Sequence, residues 1–314
     1  MEEIQEYKDC NICGSKEFKV IYYFHPHYYD HKKFITHSWD GEKEIGLQIV
    51  KCKKCKLIYQ NPSINEDGLK YIYPESIITG KLDYENLVSN HKFGHLLDVI
   101  SNYYPNPKNK NLTFLDVGTR FGVLPELLSK KGFNSIGIEM NAQCVKSARD
   151  SGFKFIYQGK IDDLKKISEN VSIARYNLVV LVDVIEHLLN PFEELENIAK
   201  FQKKGDRIII TTMDVDSLGH KIFKKEWYYI HSQHTFYFNI KTIKLLFAKL
   251  GYDIEYKFQI PAYKTITILG KELLKYFKHK IERNRIKDYK GEKIWFADNR
   301  PHLFDLFTIV LEKR

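Results

Sequence analysis

The sequence has no long hydrophobic run. Stretches such as Leu178 to Val182 end after a few residues, and no apolar core follows Met1. A bilayer-spanning helix needs about 20 consecutive apolar residues, so neither a membrane span nor an export signal is expected, and the chain reads as cytoplasmic. It also lacks a dominant charge of one sign. Its 49 lysines and arginines face 40 aspartates and glutamates, for a net charge of +9; this is a mixed surface with a lysine bias, which by itself selects no nucleic-acid partner. Cysteine is scarce, at five in 314 residues. One glycine is conspicuously missing: in "FLDVGTRFGVLPELL" an apolar strand ends at Asp116, Gly118 and Gly122 follow, and Arg120 occupies the place between them. The 43% of apolar residues suffices for one large domain and one small one.

Four of the five cysteines fall in two pairs, Cys10-Asn-Ile-Cys13 and Cys52-Lys-Lys-Cys55. In a chain without an export signal such pairs read as metal ligands rather than disulfides. Both sit in turn-like contexts, "CNICGS" and "CKKCKLIYQNP", similar to the two knuckles of a zinc ribbon. Four thiolates make a closed tetrahedral shell with no open position for water, which predicts a structural zinc. The 38 residues between Cys13 and Cys52 exceed the usual ribbon spacing, so inserted strands are expected, one of them "EIGLQIVKC". His25, His27, His31 and His37 lie in that insertion as possible alternative ligands. A zinc-binding module over 1–66, a helical linker over 67–110 and a large domain over 111–314 follow from this partition. A basic helical insertion, "KELLKYFKHKIERNRIK", belongs to a segment at about 262–300.

From residue 112 onward, short apolar strands alternate with amphipathic helices. Strands are expected at 112–117, 134–139, 153–157, 176–182 and 206–212, and helices at 121–131, 141–151, 161–168, 192–202 and 239–250. Two further strands, "YDIEYKFQI" and "LFDLFTIVLEK", follow. The alternation predicts an α/β fold with a doubly wound, Rossmann-like parallel sheet. A strand, glycine turn and helix present backbone amides at the sheet edge where nucleotide-like ligands bind. The spacing Asp116-x-Gly118-x-x-x-Gly122 is not that of a dinucleotide enzyme. Glu139 ends the next strand, seventeen residues after Gly122, and suits a pair of ribose hydroxyls.

Together "FLDVGTRFG", "GIEM" and "YNLVVLVDVIEHLLNP", in this order and spacing, resemble the successive motifs of class I S-adenosylmethionine-dependent methyltransferases over residues 109 to 260. The resemblance implies a seven-stranded sheet. It continues in "KEWYYIHSQHTFYFNIKTIKLLFAKLGYDI", which is similar to a segment of small-molecule and sugar methyltransferases, some with a two-CxxC segment in front. It implies that Asp116 and Gly118 lie near the methionine moiety of S-adenosylmethionine, that Gly122 packs the first helix and that Glu139 holds the ribose. Ile161 and Asp162 would flank the adenine, Asp162 through the exocyclic amine, Met140 would also lie at the cofactor, and Asp183 would approach the methionine end and the acceptor. Arg120 departs from the family's glycine. A residue of its size is tolerable there at negative φ, with its side chain on the cofactor's carboxylate or in solvent.

Methyl transfer to a hydroxyl needs an in-line nucleophile and a base. His234, His231 and His187 are the candidates, His234 first because it precedes the aromatic run as in the family. The HxxH spacing of His231 and His234 raises a metal-binding reading that no adjacent carboxylate motif supports. Trp227, Tyr228, Tyr229, Phe236, Tyr237 and Phe238 are the preferred acceptor wall, with ordinary core packing expected to account for at least half of the run. The expected acceptor is a small, sugar-like molecule, O-methylated or, as a keto-sugar, C-methylated. One alternative is an RNA methyltransferase gripping phosphates through the zinc module and the basic insertion, although "DVIEHL" stands where an "NPPY"-like motif would serve amine methylation. Another is a non-catalytic binding or scaffold protein whose cofactor site Arg120 has closed.

Overall fold

The structure, a computed structural model, describes residues 4–24, 47–72, 91–227, 229–259 and 305–314. The basic segment at about 262–300, Tyr228 and His25, His27, His31 and His37 lie outside the described residues. The cysteine-bearing segment consists of short strands: β1 (Gln5–Glu6), β2 (Phe18–Phe24), β3 (Leu47–Cys52), β4 (Ile58–Gln60) and β5 (Ser63–Ile64). β1 pairs with β5, and β2, β3 and β4 form an antiparallel sheet. Helices α1 (Glu66–Ile72) and α2 (His91–Tyr103) come next. The alternating part then runs β6 (Thr113–Val117), α3 (Val123–Lys131), β7 (Asn134–Glu139), α4 (Ala142–Asp150), β8 (Ile156–Gln158), α5 (Leu164–Asn170), β9 (Leu178–Val182), α6 (Pro191–Ala199) and β10 (Arg207–Met213). It closes with α7 (Leu218–Phe223), β11 (Phe236–Tyr237), α8 (Ile240–Lys249), β12 (Tyr252–Gln259) and β13 (Leu306–Lys313). No helix among the described residues is long and apolar enough to cross a membrane.

The central sheet has seven strands in the order β12-β13-β10-β9-β6-β7-β8. Strands β6 to β10 of it are parallel, as the sequence predicts, but β13 runs antiparallel to both β10 and β12. The sheet is therefore mixed rather than wholly parallel. Strand direction leaves no mark on a buried apolar run such as "LFTIVLEK", because both faces are covered whichever way it points. Alternate residues of the central strands explain those runs. Phe114, Leu178, Val180, Ile209 and Val310 pack with Leu96, Val99 and Ile100 of α2 and Leu124 and Leu128 of α3. Leu115, Val117, Val179, Leu181, Ile208 and Ile210 face the opposite layer, with Leu195, Ile198, Ile243 and Phe247. Helix α2 thus covers one face of the sheet.

Three boundaries move by three residues; one is the carboxyl end of the helix expected at 192–202, which stops at Ala199. The apolar Phe153 and Phe155 read as strand, yet Phe153 N–H turns back to Ala148 O at 3.0 Å after Gly152 at φ +91°, so the strand begins only at Ile156. The helix expected at 161–168 opens with a 3₁₀ turn, Ile161–Asp163, before α5.

The cysteine-bearing sheet does not close on itself. Its outer strand is β11, which pairs antiparallel with β4 through Phe236↔Tyr59 and Tyr237↔Ile58. Side chains follow the backbone: the Phe236 ring stacks on Tyr59 at 6.2 Å and on Phe238 at 6.0 Å. Cys10, Ile12, Val50, Cys52, Leu57 and Tyr59 share one buried cluster with the strands and helices of the central sheet. Removing so central a ring costs about 3–5 kcal/mol. Phe236→Ala should lower the chain's denaturant midpoint in one transition, followed by tryptophan fluorescence and far-UV circular dichroism together. Two separated transitions would show that the cysteine-bearing sheet folds independently of the large one.

Candidate active site at the carboxyl edge of the sheet

Chain order reverses between β6 and β9, where an open α/β sheet leaves a crevice at its carboxyl edge. Asp116 sits at the end of β6 with its carboxyl buried. Burial pushes that group up to about 7, with Glu139 adding to the rise. Beyond it Gly118, Arg120 and Gly122 all hold left-handed backbone, at φ +68°, +56° and +71°. Glycine is required at 118, where a Cβ would come within 2.6 Å of Val184 Cγ2.

Arg120 corrects the sequence expectation of a negative φ. A left-handed non-glycine residue costs roughly 1–2 kcal/mol, and contacts around Arg120 offset that cost. Its N–H donates to Glu139 Oε2 at 2.9 Å, and its guanidinium lies 5.1 Å from the centre of the Phe121 ring. Its charge acts on Glu139 and on Cys144, which puts the side chain on the Glu139 side of the loop.

Glu139, at the end of β7, receives a second N–H from Asn141 on Oε1 at 2.9 Å. Burial pushes its carboxyl up while these backbone donors pull it down. Both oxygens keep a further lone pair for a ligand hydroxyl. Asn141 caps α4 by accepting from Gln143 and Cys144, leaving Met140 half exposed between cap and carboxylate. Ile161 is buried in the 3₁₀ turn, while the exposed Asp162 accepts from Asn197 Nδ2 at 3.1 Å. A cleft of about 670 Å³ between α5 and α6 is lined by Ile161, Asp162, Lys165, Asn197, Lys200 and Phe201 among others, but contains neither Asp116 nor Glu139. Asp183 follows β9 at φ +53°, its N–H donating to Thr211 O at 2.8 Å.

The three histidines meet, although 46 residues separate His187 from Gln233 in the bond that ties their turns. Ring centres are 4.7 Å apart for His187 and His234, and 3.7 Å for His231 and His234. His187 Nδ1 donates to Gln233 O at 2.9 Å and His234 Nδ1 to Tyr229 O at 2.8 Å. A carbonyl can only accept, so these bonds assign the proton to Nδ1 and make Nε2 the acceptor nitrogen of each ring. Burial lowers the pKa of His187, and lowers that of His234 further with help from His231 and His187. Both rings are therefore neutral at pH 7.

Two residues escaped the sequence reading. Gln60 is buried, and its amide Nε2 lies within bonding distance of the carbonyls of His231, Ser232 and His234, at 3.2, 2.9 and 2.8 Å. Its only sequence signal is a polar side chain closing the apolar "LIY" after the second cysteine pair. Glu186 is buried beside the histidines; ligand atoms of Glu186, His187 and His234 all lie within 4.8 Å of one another. The carboxylate absent around HxxH in sequence thus arrives from the loop after β9. The aromatic wall is largely core: Trp227, Phe236, Tyr237 and Phe238 are buried, and only Tyr229 of the described members is half-buried.

The four Sγ atoms of Cys10, Cys13, Cys52 and Cys55 also lie within 4.8 Å of one another, the closest pairs at 3.3 and 3.6 Å. Each knuckle ends in a left-handed residue, Gly14 or Lys56, whose N–H returns to Cys10 O or Cys52 O.

A profile of the family described as "Methyltransferase domain" matches residues 89–257. The ubiquinone biosynthesis O-methyltransferase of Vibrio parahaemolyticus is 29% identical over 105 residues, which are 32% of this chain and 43% of the relative. That of Serratia proteamaculans is 26% identical over 106 residues, with the same coverage. The chain thus spans less than half the length of these curated relatives. Among solved structures, a SAM-dependent methyltransferase from Archaeoglobus fulgidus aligns with 74% of this chain and 100% of its own, at 19% identity and a TM-score of 0.43. The magnesium protoporphyrin IX methyltransferase of Synechocystis PCC 6803, solved with bound SAH, aligns with 76% and 90%, at 12% identity and a TM-score of 0.46.

The raised Asp116 carboxyl makes stability depend on pH. Between the ordinary value of 3.8 and about 7 the fold keeps a proton that the unfolded chain has lost. Stability therefore falls as pH rises through that window, by up to roughly 1.4 kcal/mol per pH unit, and levels off above it. Asp116→Asn carries no such proton. Its midpoint, measured by thermal denaturation without ligand, should match the native one near pH 4 and exceed it by several degrees at pH 8; a difference constant with pH would refute the raised carboxyl.

Proposed function

The chain belongs to the methyltransferase-domain family, and from that membership we propose an S-adenosylmethionine-dependent methyltransferase acting on a small, sugar-like acceptor, at oxygen first and at a keto-sugar carbon second. One observation carries the reading: two buried carboxylates end adjacent parallel strands at the switch point of the sheet, and a cluster of neutral imidazoles lies beyond the neighbouring β9. The first half suits a cationic, ribose-bearing cofactor. The second suits an acceptor that must lose a proton.

In this reading Glu139, already oriented by two backbone N–H groups, accepts from the ribose hydroxyls with its remaining lone pairs. Asp116 faces the charged methionine end. A carboxyl held near 7 by burial is half protonated at neutral pH, and a neighbouring cation returns it to the charged form. Gly118 and Gly122 keep the loop backbone close to the ligand. Arg120 steadies Glu139 through its N–H and does not reach for the cofactor's carboxylate. Met140, Ile161 and Asp162 flank the adenine, and Asp183 lines the path from cofactor to acceptor. When bound, S-adenosylmethionine supplies a methyl group on a positively charged sulfur. An acceptor oxygen lone pair forms the new C–O bond, the S–C electron pair returns to sulfur, and the hydroxyl proton goes to an imidazole Nε2, with His234 the leading candidate. At a keto-sugar, the same base takes a proton from carbon.

We assign Cys10, Cys13, Cys52 and Cys55 to one structural zinc. At a Zn–S bond of about 2.3 Å a tetrahedron sets its sulfurs about 3.8 Å apart, which the separations around this site fit. The metal then locks both knuckles and, through β4, the strand that carries Gln60.

Titration calorimetry with S-adenosylmethionine and S-adenosylhomocysteine should give micromolar binding of both, and Glu139→Ala should lose it. Transfer from labelled cofactor to nucleotide-sugars should follow, and solvent deuterium entering the acceptor carbon would mark the C-methylation variant. Absence of cofactor binding would sink the enzyme reading; transfer to RNA and not to sugars would replace the acceptor class. Elemental analysis should find zinc at one per chain, and Cys13→Ser should lower both the zinc content and the melting temperature. Full zinc in that variant would remove the four-thiolate assignment.

A further inference from the structure

We propose that Glu186, His187 and His234 form a second metal site, for a borderline divalent cation, which holds an acceptor carrying two adjacent oxygens; the acceptor half of the proposal rests on the methyltransferase reading. Three features of the fold carry it. The ligand atoms of the three side chains lie within 4.8 Å of one another; an ion bound at about 2.0–2.2 Å by nitrogen and oxygen sets its ligands roughly 3–4.4 Å apart, a spacing that small side-chain adjustments reach from here. Each imidazole gives Nδ1–H to a backbone carbonyl, at 2.9 Å to Gln233 O and 2.8 Å to Tyr229 O. That second bond fixes the ring and aims the Nε2 lone pair, as it does for metal-binding histidines generally.

The third feature is rigidity from two sides. Thr235 N–H donates to Glu186 O at 2.9 Å, and its single hydroxyl proton lies between Leu188 O at 2.8 Å and Glu186 O at 3.0 Å, stapling the carboxylate-bearing turn to the histidine-bearing one. Gln60 holds the carbonyls of His231, Ser232 and His234 from the cysteine-bearing sheet. Among the described residues the only other group of this kind is the four cysteines. The two donor sets differ in softness: thiolates select zinc, while two imidazoles and a carboxylate also accept manganese, iron or cobalt and leave coordination positions open.

The open positions define the acceptor. Two neighbouring oxygens, as in a vicinal diol or an α-hydroxy ketone, chelate such an ion. Coordination lowers the pKa of the bound hydroxyl, so its O–H bond breaks with the proton leaving to His231 or water. The resulting oxygen lone pair forms the bond to the methyl carbon as the S–C bond breaks and the neutral thioether departs. His187 and His234 then act as ligands, and the general-base duty assigned to His234 passes to His231, whose tilted ring lies 3.7 Å away.

The test uses full-length, zinc-loaded protein titrated with Mn²⁺ and followed by electron paramagnetic resonance, since Mn²⁺ competes poorly for thiolates. The expected result is one bound Mn²⁺ per chain, with affinity reduced at least about tenfold in Glu186→Gln and in His234→Gln, and unchanged in His220→Gln, a histidine of α7 outside the cluster. No binding to the native chain, or equal binding by all four proteins, overturns the proposal. Cofactor calorimetry on the same samples separates the two ideas. Cofactor binding without Mn²⁺ removes this site and leaves the methyltransferase reading standing; Mn²⁺ without cofactor does the reverse. Circular dichroism of each variant identifies a loss that comes from unfolding, in which case the folded variant of the pair decides.

Discussion

The pairing of Phe236 and Tyr237 with Ile58 and Tyr59 is the contact on which the rest depends. A two-residue strand has almost no stability of its own. It persists because its side chains belong to the common core and because the backbone around it is fully engaged: Gln60 N–H donates to Thr235 O, Thr235 N–H to Glu186 O, and the Gln60 amide to the turn that carries two histidines. Buried carbonyls must be satisfied, and here those of the histidine turn are satisfied by a residue some 170 positions away in sequence. The cysteine knuckles, the histidines and the loop after β9 are thereby one mechanical unit. Whatever stiffens the knuckles therefore stiffens the histidines as well.

The carboxyl edge shows a different economy. Arg120 and Asp183 both hold left-handed backbone without being glycine, on loops that follow adjacent strands. Strain of this kind persists only where surroundings over-determine it. For Arg120 the surroundings are the Glu139 carboxylate and the Phe121 ring; for Asp183 they are the neighbouring strand's Thr211 carbonyl. At Arg120 the strained backbone orients a charge, because its N–H is one of the two donors that hold Glu139.

Much of this was legible in the sequence, and the parts that were not share a cause. Buried parallel strands announce themselves as apolar runs, so β6, β7, β9 and β10 fell within one or two residues of expectation, and the glycine turn and Glu139 could be placed at their tips. Apart from the local Gly152 turn that delays β8, the 3₁₀ turn before α5 and the early end of α6, the misses need a partner that is distant in the chain. Strand β11 is short and has meaning only beside β4. The direction of β13 is set by its neighbours. The left-handed φ of Arg120 depends on a hydrogen bond to a residue nineteen positions on, and Glu186 becomes interesting only when His234 arrives next to it. Aromatic residues failed in the opposite sense. "WYYIHSQHTFYF" looks like a binding wall because rings and histidines alternate loosely, yet most of its described rings fill the seam between the two sheets.

That last correction narrows the proposed acceptor. With Trp227, Phe236, Tyr237 and Phe238 consumed by the seam, little flat aromatic surface remains beside the imidazoles among the described residues. Recognition by stacking needs an open ring face, whereas recognition of hydroxyls and carbonyls needs oriented polar atoms in a confined space. The edge offers the second: one buried and one half-buried imidazole with fixed tautomers, a buried carboxylate and a half-buried tyrosine. An acceptor that pays its desolvation through two or three oxygens fits this inventory better than a planar apolar ring does. The same inventory explains why the histidines are held from two sides. A ligand gripped by few contacts tolerates little play in each, so the fold fixes both turns with Thr235 and Gln60 before any ligand arrives.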